Sequence, residues 1–337
     1  MPEPSPTPKR RGRLLRAAAA LVVLLAVAGY LAVQYLTGGT DLHGCEVVSG
    51  NGDDASYTFT PEQAVNAATI TAVGTDRGLP ERAVTIALAT SLQESGLRNI
   101  RHGDLDSLGL FQQRPSQGWG TKKQILDPTY AAGVFYEHLE KVPDYATLPL
   151  TEAAQRVQRS GYPEAYAKHE PDAKLLAAAL TGQAAATLTC DGRTTTTEAA
   201  AASPDAVRAA LVRDFGQSVL AEAADADAKS GASEGSSDTQ LSDSSGTGTA
   251  GRTVTLPVTA AGGAGTHRTT AERGWQLASW AVANSSALHI EQVTYAGRRW
   301  TAGNTDSTWR DVGTKAADDG KDGSAATGSE VVILTGR

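Results

Sequence analysis

A carboxylate closes an apolar helical pattern in the stretch Ala89-Thr90-Ser91-Leu92-Gln93-Glu94-Ser95-Gly96-Leu97, and the chain soon continues Gly103-Asp-Leu-Asp-Ser-Leu-Gly-Leu-Phe-Gln-Gln. At 100° per residue, Glu94 shares a line with Ala83, Ala87 and Thr90, all small, so a neighbouring helix or a bound chain can approach closely there. Glu94 also falls in the last turn, where the helix dipole and any burial disfavour the ionised form. A carboxyl that keeps its proton near neutral pH is what general acid catalysis requires. The same position equally describes an exposed helix-end glutamate without a role. Hydrolysis calls for a second carboxylate to activate water, and Asp104 and Asp106 are the candidates; in Gly-Asp-Leu-Asp-Ser they are also natural turn-formers. In an inverting glycosidase the pair would stand about 6.5–9.5 Å apart.

The elements that must position these groups are mostly helical. Thr60-Pro61-Glu62-Gln63 has a capping-box layout ahead of a helix running to about Thr75, and Gly78-Leu79-Pro80 breaks it. A second helix is expected over Pro80 to Ser95, with Val84, Leu88, Ser91 and Leu92 as its buried stripe and Gly96 as its stop. Pro128 to Leu139, Thr151 to Arg159 and Pro171 to Leu180 read as further helices, giving an all-α domain with one irregular insert from Leu97 to Thr121.

Cys45 and Cys190, the two cysteines of the 337-residue chain, bracket this domain at 45–190. Lys9, Arg10, Arg11, Arg13 and Arg16 form a basic tail (1–16) before an apolar run over 17–36, long enough to cross a bilayer with a cytoplasmic N-terminus. The rival reading is a secretory signal cleaved near Ala26-Val27-Ala28. Either way the rest of the chain is exported: it is expected at the cell membrane as a single-pass protein, or secreted. There a disulfide between Cys45 and Cys190 is favoured. Closing a loop of about 145 residues, it would contribute about 4–5 kcal/mol in the chain-entropy account. The net charge of -7, with the basic cluster explained by topology, argues against nucleic acid as a partner.

Beyond Cys190, a helical extension is expected over 191–222, with Ser203-Pro204-Asp205 as a helix start. A linker of Ala, Asp, Ser and Gly spans 223–250. The tail, 251–337, reads as a small α+β domain. It has a strand after Arg252, a helix capped by Thr269 and Glu272, a hairpin about Ala296-Gly297 and a last strand at Val331 to Leu334. Its tryptophans, Trp275, Trp280, Trp300 and Trp309, are either core or sugar-stacking rings.

Gln93-Glu94-Ser95-Gly96-Leu97 followed by Ser107-Leu108-Gly109-Leu110-Phe111-Gln112 resembles the lysozyme-like superfamily, in its lytic transglycosylase and goose-type lysozyme branch. The resemblance covers about 60 to 190. It implies a mainly α, lysozyme-like fold, Glu94 as the catalytic acid/base and peptidoglycan glycan strands as substrate. Ser107, Gly109, Gln112 and Gln113 are then expected to line the sugar groove, with Gln112 near the cleaved bond. The family's Tyr-Asn pair on a later helix has no counterpart in Val157-Gln158-Arg159-Ser160-Gly161-Tyr162, where Gln158 and Tyr162 are the residues available to replace it. Trp119 is either a ring on the groove floor or a packing residue. The continuation Gln113-Arg-Pro-Ser-Gln-Gly-Trp-Gly-Thr121 is similar to that of actinobacterial exported proteins.

No cofactor or metal is expected, since His102, Asp104 and Asp106 supply too few ligands. The serines Ser107, Ser116 and Ser160 lack a nucleophile elbow. Three functional classes follow: a membrane-anchored enzyme cleaving the β-1,4 bond of peptidoglycan, a catalytically silent glycan-binding or scaffold module of the same fold, and an exported interaction protein acting through its tail.

Overall fold

The computed structural model describes residues 44–192, 203–220, 249–258, 268–303, 308–312 and 329–336. The apolar run at 17–36 lies outside these residues, as do 223–248 of the expected linker. Among the described residues no helix is long and apolar enough to cross a membrane. Residues His43–Arg337 form one compact unit.

Its helical part begins with α1 (Pro61–Asp76), opened by the expected capping box: the Thr60 hydroxyl accepts from the Gln63 N–H while Gln63 Oε1 accepts from the Thr60 N–H. The second helix, α2 (Glu81–Ser95), departs from the expected stripe. Every residue from Ala83 to Leu92 is buried. The reason is its place at the centre of the helical part, where α6 (Glu170–Leu180), α1, α4 (Pro128–Leu139) and α5 (Leu150–Gln158) all pack against it. A helix covered on all sides needs small and apolar residues around its whole circumference. Its sequence, Glu-Arg-Ala-Val-Thr-Ile-Ala-Leu-Ala-Thr-Ser-Leu, supplies them. The short α3 (Lys122–Ile125) carries a capping box of its own on Thr121 and Gln124.

The all-α expectation is corrected here: this part also carries three short strands. β1 (Cys45–Val48) lies between β2 (Ser56–Phe59) and β3 (Leu188–Cys190), antiparallel to both. The register sets Cys45 directly opposite Cys190, and the two form the disulfide. Strands of three or four residues give too few alternations to read from sequence.

After α7 (Pro204–Phe215) the tail forms a mixed layer. β4 (Thr253–Pro257), β8 (Glu330–Thr335), β5 (Ile290–Tyr295), β6 (Arg298–Thr301) and β7 (Arg310–Asp311) make one antiparallel sheet in that order. Helix α8 (Thr270–Ala283), continued by α9 (Ser285–Leu288), packs against β5 and β8 on one side and against α1, α6 and β3 on the other. Burial on both sides explains why every residue of α8 from Arg273 to Ala283 is buried. All four tail tryptophans are core residues, with at most 9% exposure. The Trp300 indole N–H donates to Cys190 O at 3.0 Å and that of Trp309 to Leu188 O at 2.9 Å, so they seal the sheet against β3 and leave no ring face free for sugar.

Candidate active site

Glu94 stands one residue from the end of α2, and the local sequence explains how that end is held. Gly96 takes the left-handed conformation (φ 63°), its N–H bonds Leu92 O, and the Leu97 N–H reaches back to Ser91 O, a Schellman stop. The two carbonyls that follow are caught by α1: Gln63 Nε2 donates to Gly96 O and Asn66 Nδ2 to Leu97 O, both at 2.8 Å. Ser91 and Ser95 then direct their hydroxyls at one acceptor, Leu110 O, at 3.1 and 2.8 Å. The serine after the glutamate therefore fastens the Ser107–Phe111 stretch beneath Glu94. The helix end and the loop that follows it are thereby tied together beside Glu94.

Glu94 is half-buried and lines a groove of about 800 Å³ together with Asp104, Ser107 and Gln112. Gln112 has left-handed backbone (φ 47°), as does Leu105 (φ 56°), a conformation in which non-glycine residues concentrate at binding loops. Its side chain folds back over Gly103, where a Cβ would collide with Gln112 Oε1. Gln112 Nε2 donates to Gly109 O at 3.3 Å. Gly109 itself is buried beside the groove, its N–H bonded to Ile100 O at 2.7 Å. Gln113 is 2% exposed and donates to Ala131 O at 3.1 Å, so its amide ties the loop to α4. Trp119 lies on the groove wall with its ring tilted against His138, centroids 4.2 Å apart.

The two aspartates separate. Asp104 is exposed and faces the groove. Asp106 does not line it. Asp106 accepts from Arg114 Nε at 2.7 Å, from the Ser116 N–H at 2.8 Å and from Ser116 Oγ at 3.0 Å. The Arg114 hydrogen bond, with the Ser116 backbone N–H next, holds its carboxyl well below the usual carboxylate range. A carboxylate so stabilised is a poor base and serves to pin the turn.

The residue that touches Glu94 is one that motif reading passed over. Tyr166, in a 3-10 turn over Pro163–His169, is completely buried and donates its phenolic hydroxyl to Glu94 Oε1 at 2.7 Å. Burial, and after it the Glu94 charge, pushes the Tyr166 phenol above its ordinary range, so it stays a donor. Of the two residues expected to stand in for the Tyr-Asn pair, Gln158 donates to Phe111 O at 2.8 Å and holds the groove loop from the other side. Tyr162 is 78% exposed on the groove rim. The Tyr166–Glu94 bond spans 72 residues of sequence and depends on how the turn after α5 lays Tyr166 inward. The one signal was a second tyrosine four residues after Tyr162.

Replacing Tyr166 by Phe removes that donor and leaves the ring. We expect any reaction that draws a proton from Glu94 to slow about tenfold to a hundredfold with the fold intact, as for loss of one charge-assisted hydrogen bond of about 1.5–3 kcal/mol. Turnover on purified wall, beside circular dichroism of both proteins, checks this.

In comparisons with known proteins, residues 220–322 match the family described as VldE, C-terminal domain. The match covers β4 through β7 with α8 and α9 but not Glu94, Tyr166 or the groove. No curated protein matches the chain.

Proposed function

We propose that this protein cleaves the β-1,4 glycosidic bond of peptidoglycan glycan strands, with Glu94 as general acid/base. The observation that carries the reading is a half-buried carboxyl, bonded to an inward tyrosine, on an open groove beside Gln112 and Asp104. A groove of about 800 Å³ has volume for several sugar rings, and Glu94 is the half-buried carboxyl on it.

In this reading protonated Glu94 donates to the glycosidic oxygen as the C–O bond breaks and positive charge develops at the anomeric carbon. The Tyr166 hydroxyl orients the carboxyl before the transfer and stabilises the carboxylate left after it. Two fates are open to the cation. The acetamido oxygen of the same sugar can hold the cation as an oxazolinium, and a hydroxyl of that sugar then attacks the anomeric carbon, gives the anhydro end and passes its proton to Glu94. Alternatively, water attacks, deprotonated by Asp104, the second carboxylate on the groove. Tyr162 and Trp119 offer rings on the rim and wall for sugar stacking.

The site is read as lying outside the cytoplasm, tethered through the span at 17–36. The disulfide between Cys45 and Cys190 supports an oxidising compartment. Incubating the purified protein with wall sacculi is expected to release soluble fragments, and their masses distinguish anhydro from hydrolysed ends. A preparation that binds sacculi yet releases nothing would favour a silent glycan-binding module instead.

A further inference from the structure

The chain as a whole is acidic, with a net charge of -7, yet the groove that holds Glu94 and Asp104 is also lined by Arg114, Lys141, Arg156 and Arg159. Two of these cations are already engaged: Arg114 pairs with Asp106 at 2.7 Å, and Arg156 pairs with Glu152 one turn back on α5. Lys141 and Arg159 are exposed and have no carboxylate partner among the described residues. Lys141 follows the end of α4, its N–H bonded to His138 O at 3.2 Å. Arg159 caps α5 in left-handed backbone (φ 52°), with its N–H on Gln155 O at 2.8 Å. A cation at a helix C-terminus is favourable in itself through the dipole. That accounts for one cation at each end, but not for two helix ends bringing unpaired cations to the same groove in an acidic protein.

We infer that Lys141 and Arg159 are an anion-reading subsite that selects glycan strands bearing carboxylates over neutral β-1,4 amino-sugar chains. The inference rests on the glycan-cleaving reading of the same groove and adds what the strand must carry. A neutral chitin-type chain offers these two groups only hydroxyls and amides. A strand with a carboxylate on alternate sugars, or on a peptide attached there, offers a charge-assisted partner. The two cations come from the ends of α4 and α5 and Glu94 from the end of α2, so the proposed role for the cations is to bind and orient the strand.

The test compares wild type with a Lys141→Gln/Arg159→Gln double variant, and with a charge-matched control, Lys174→Gln/Arg208→Gln, whose residues do not line this groove. Three probes are used. Neutral N-acetylglucosamine oligomers carry no carboxylate, peptide-free strands expose the sugar-linked carboxylate, and intact peptide-bearing strands expose carboxylates on the peptide. Binding is measured by co-sedimentation or calorimetry at low and high salt, and release of fragments by mass. Wild type should bind one or both anionic probes more tightly than the neutral oligomer, and more weakly as salt rises. The double variant should lose about five- to tenfold of that affinity and most of the salt dependence, with the control unchanged. Preference for peptide-free strands identifies the sugar-linked carboxylate as the partner; preference for intact strands identifies the peptide. Equal binding of all three probes by wild type, or a double variant that binds like the control, overturns the inference while cleavage can still proceed. Selective, salt-sensitive binding without any fragment release leaves the subsite standing and overturns the enzymatic reading.

Discussion

On the proposed glycan-cleaving reading, Glu94→Gln is expected to lower cleavage by about a hundredfold to ten-thousandfold, the range associated with loss of a positioned general acid. The substitution is nearly isosteric. Gln still presents an oxygen to the Tyr166 hydroxyl, now 2.7 Å from Glu94 Oε1, so the turn over Pro163–His169 keeps its contact with α2. What is lost is the proton that the leaving oxygen needs. The thermal midpoint should therefore hardly move, and binding to sacculi should persist or strengthen because bound strands are no longer cut. Zymography on purified wall, with both proteins at matched concentration, reads the result. Equal clearing by the two proteins would remove Glu94 from the mechanism. Clearing that disappears together with the helical signal would report unfolding instead, and the sedimentation assay with folded protein separates the two.

The parts of this site that could be read from sequence are those fixed by residues close together along the chain. Glu94, Ser95, Gly96 and the Ser107–Gln112 stretch sit within twenty positions of one another, and the hydroxyl-to-carbonyl bonds that join them are local consequences of that spacing. The capping boxes at Thr60 and Thr269 were legible for the same reason. Tyr166 was not, because nothing in Gly161-Tyr162-Pro163-Glu164-Ala165-Tyr166 distinguishes the ring turned to solvent from the ring turned to Glu94. The tail tryptophans were ambiguous on similar grounds. The acceptors that bury Trp300 and Trp309 are carbonyls 110 and 121 residues away, on a strand too short to be seen. The division between Asp104 and Asp106 turned on Arg114 and Ser116, whose direction only the folded loop sets.

The second large effect is expected far from the groove, at Asp214. Its carboxylate is wholly buried at the meeting point of three helices, α7, α8 and α1. It accepts from Arg213 Nε and Nη2 at 2.8 and 3.0 Å, from the Trp280 indole N–H at 2.8 Å and from the Thr69 hydroxyl at 3.3 Å. Asp214→Ala lets Arg213, half exposed, turn to water, but strands the Trp280 and Thr69 donors, both almost fully buried. Two buried groups without partners cost about 1–3 kcal/mol each, about 2–6 kcal/mol together. Against a typical total of about 5–15 kcal/mol this is a large share. The surface pair Arg156–Glu152, one helical turn apart, is by contrast worth about 0.3–0.5 kcal/mol. Urea unfolding should therefore show a midpoint much lower for Asp214→Ala and little changed for Glu152→Gln. Because Asp214 joins the tail helix α8 to α1, and α1 holds the carbonyls after Glu94 through Gln63 and Asn66, the loss should reach the groove at Glu94. Tryptophan fluorescence, which reports mainly on the tail, and helical ellipticity should then fall together. A loss below about 1 kcal/mol would show that the cluster does not hold the layers together. Two separated transitions in the wild type would show that tail and groove fold independently.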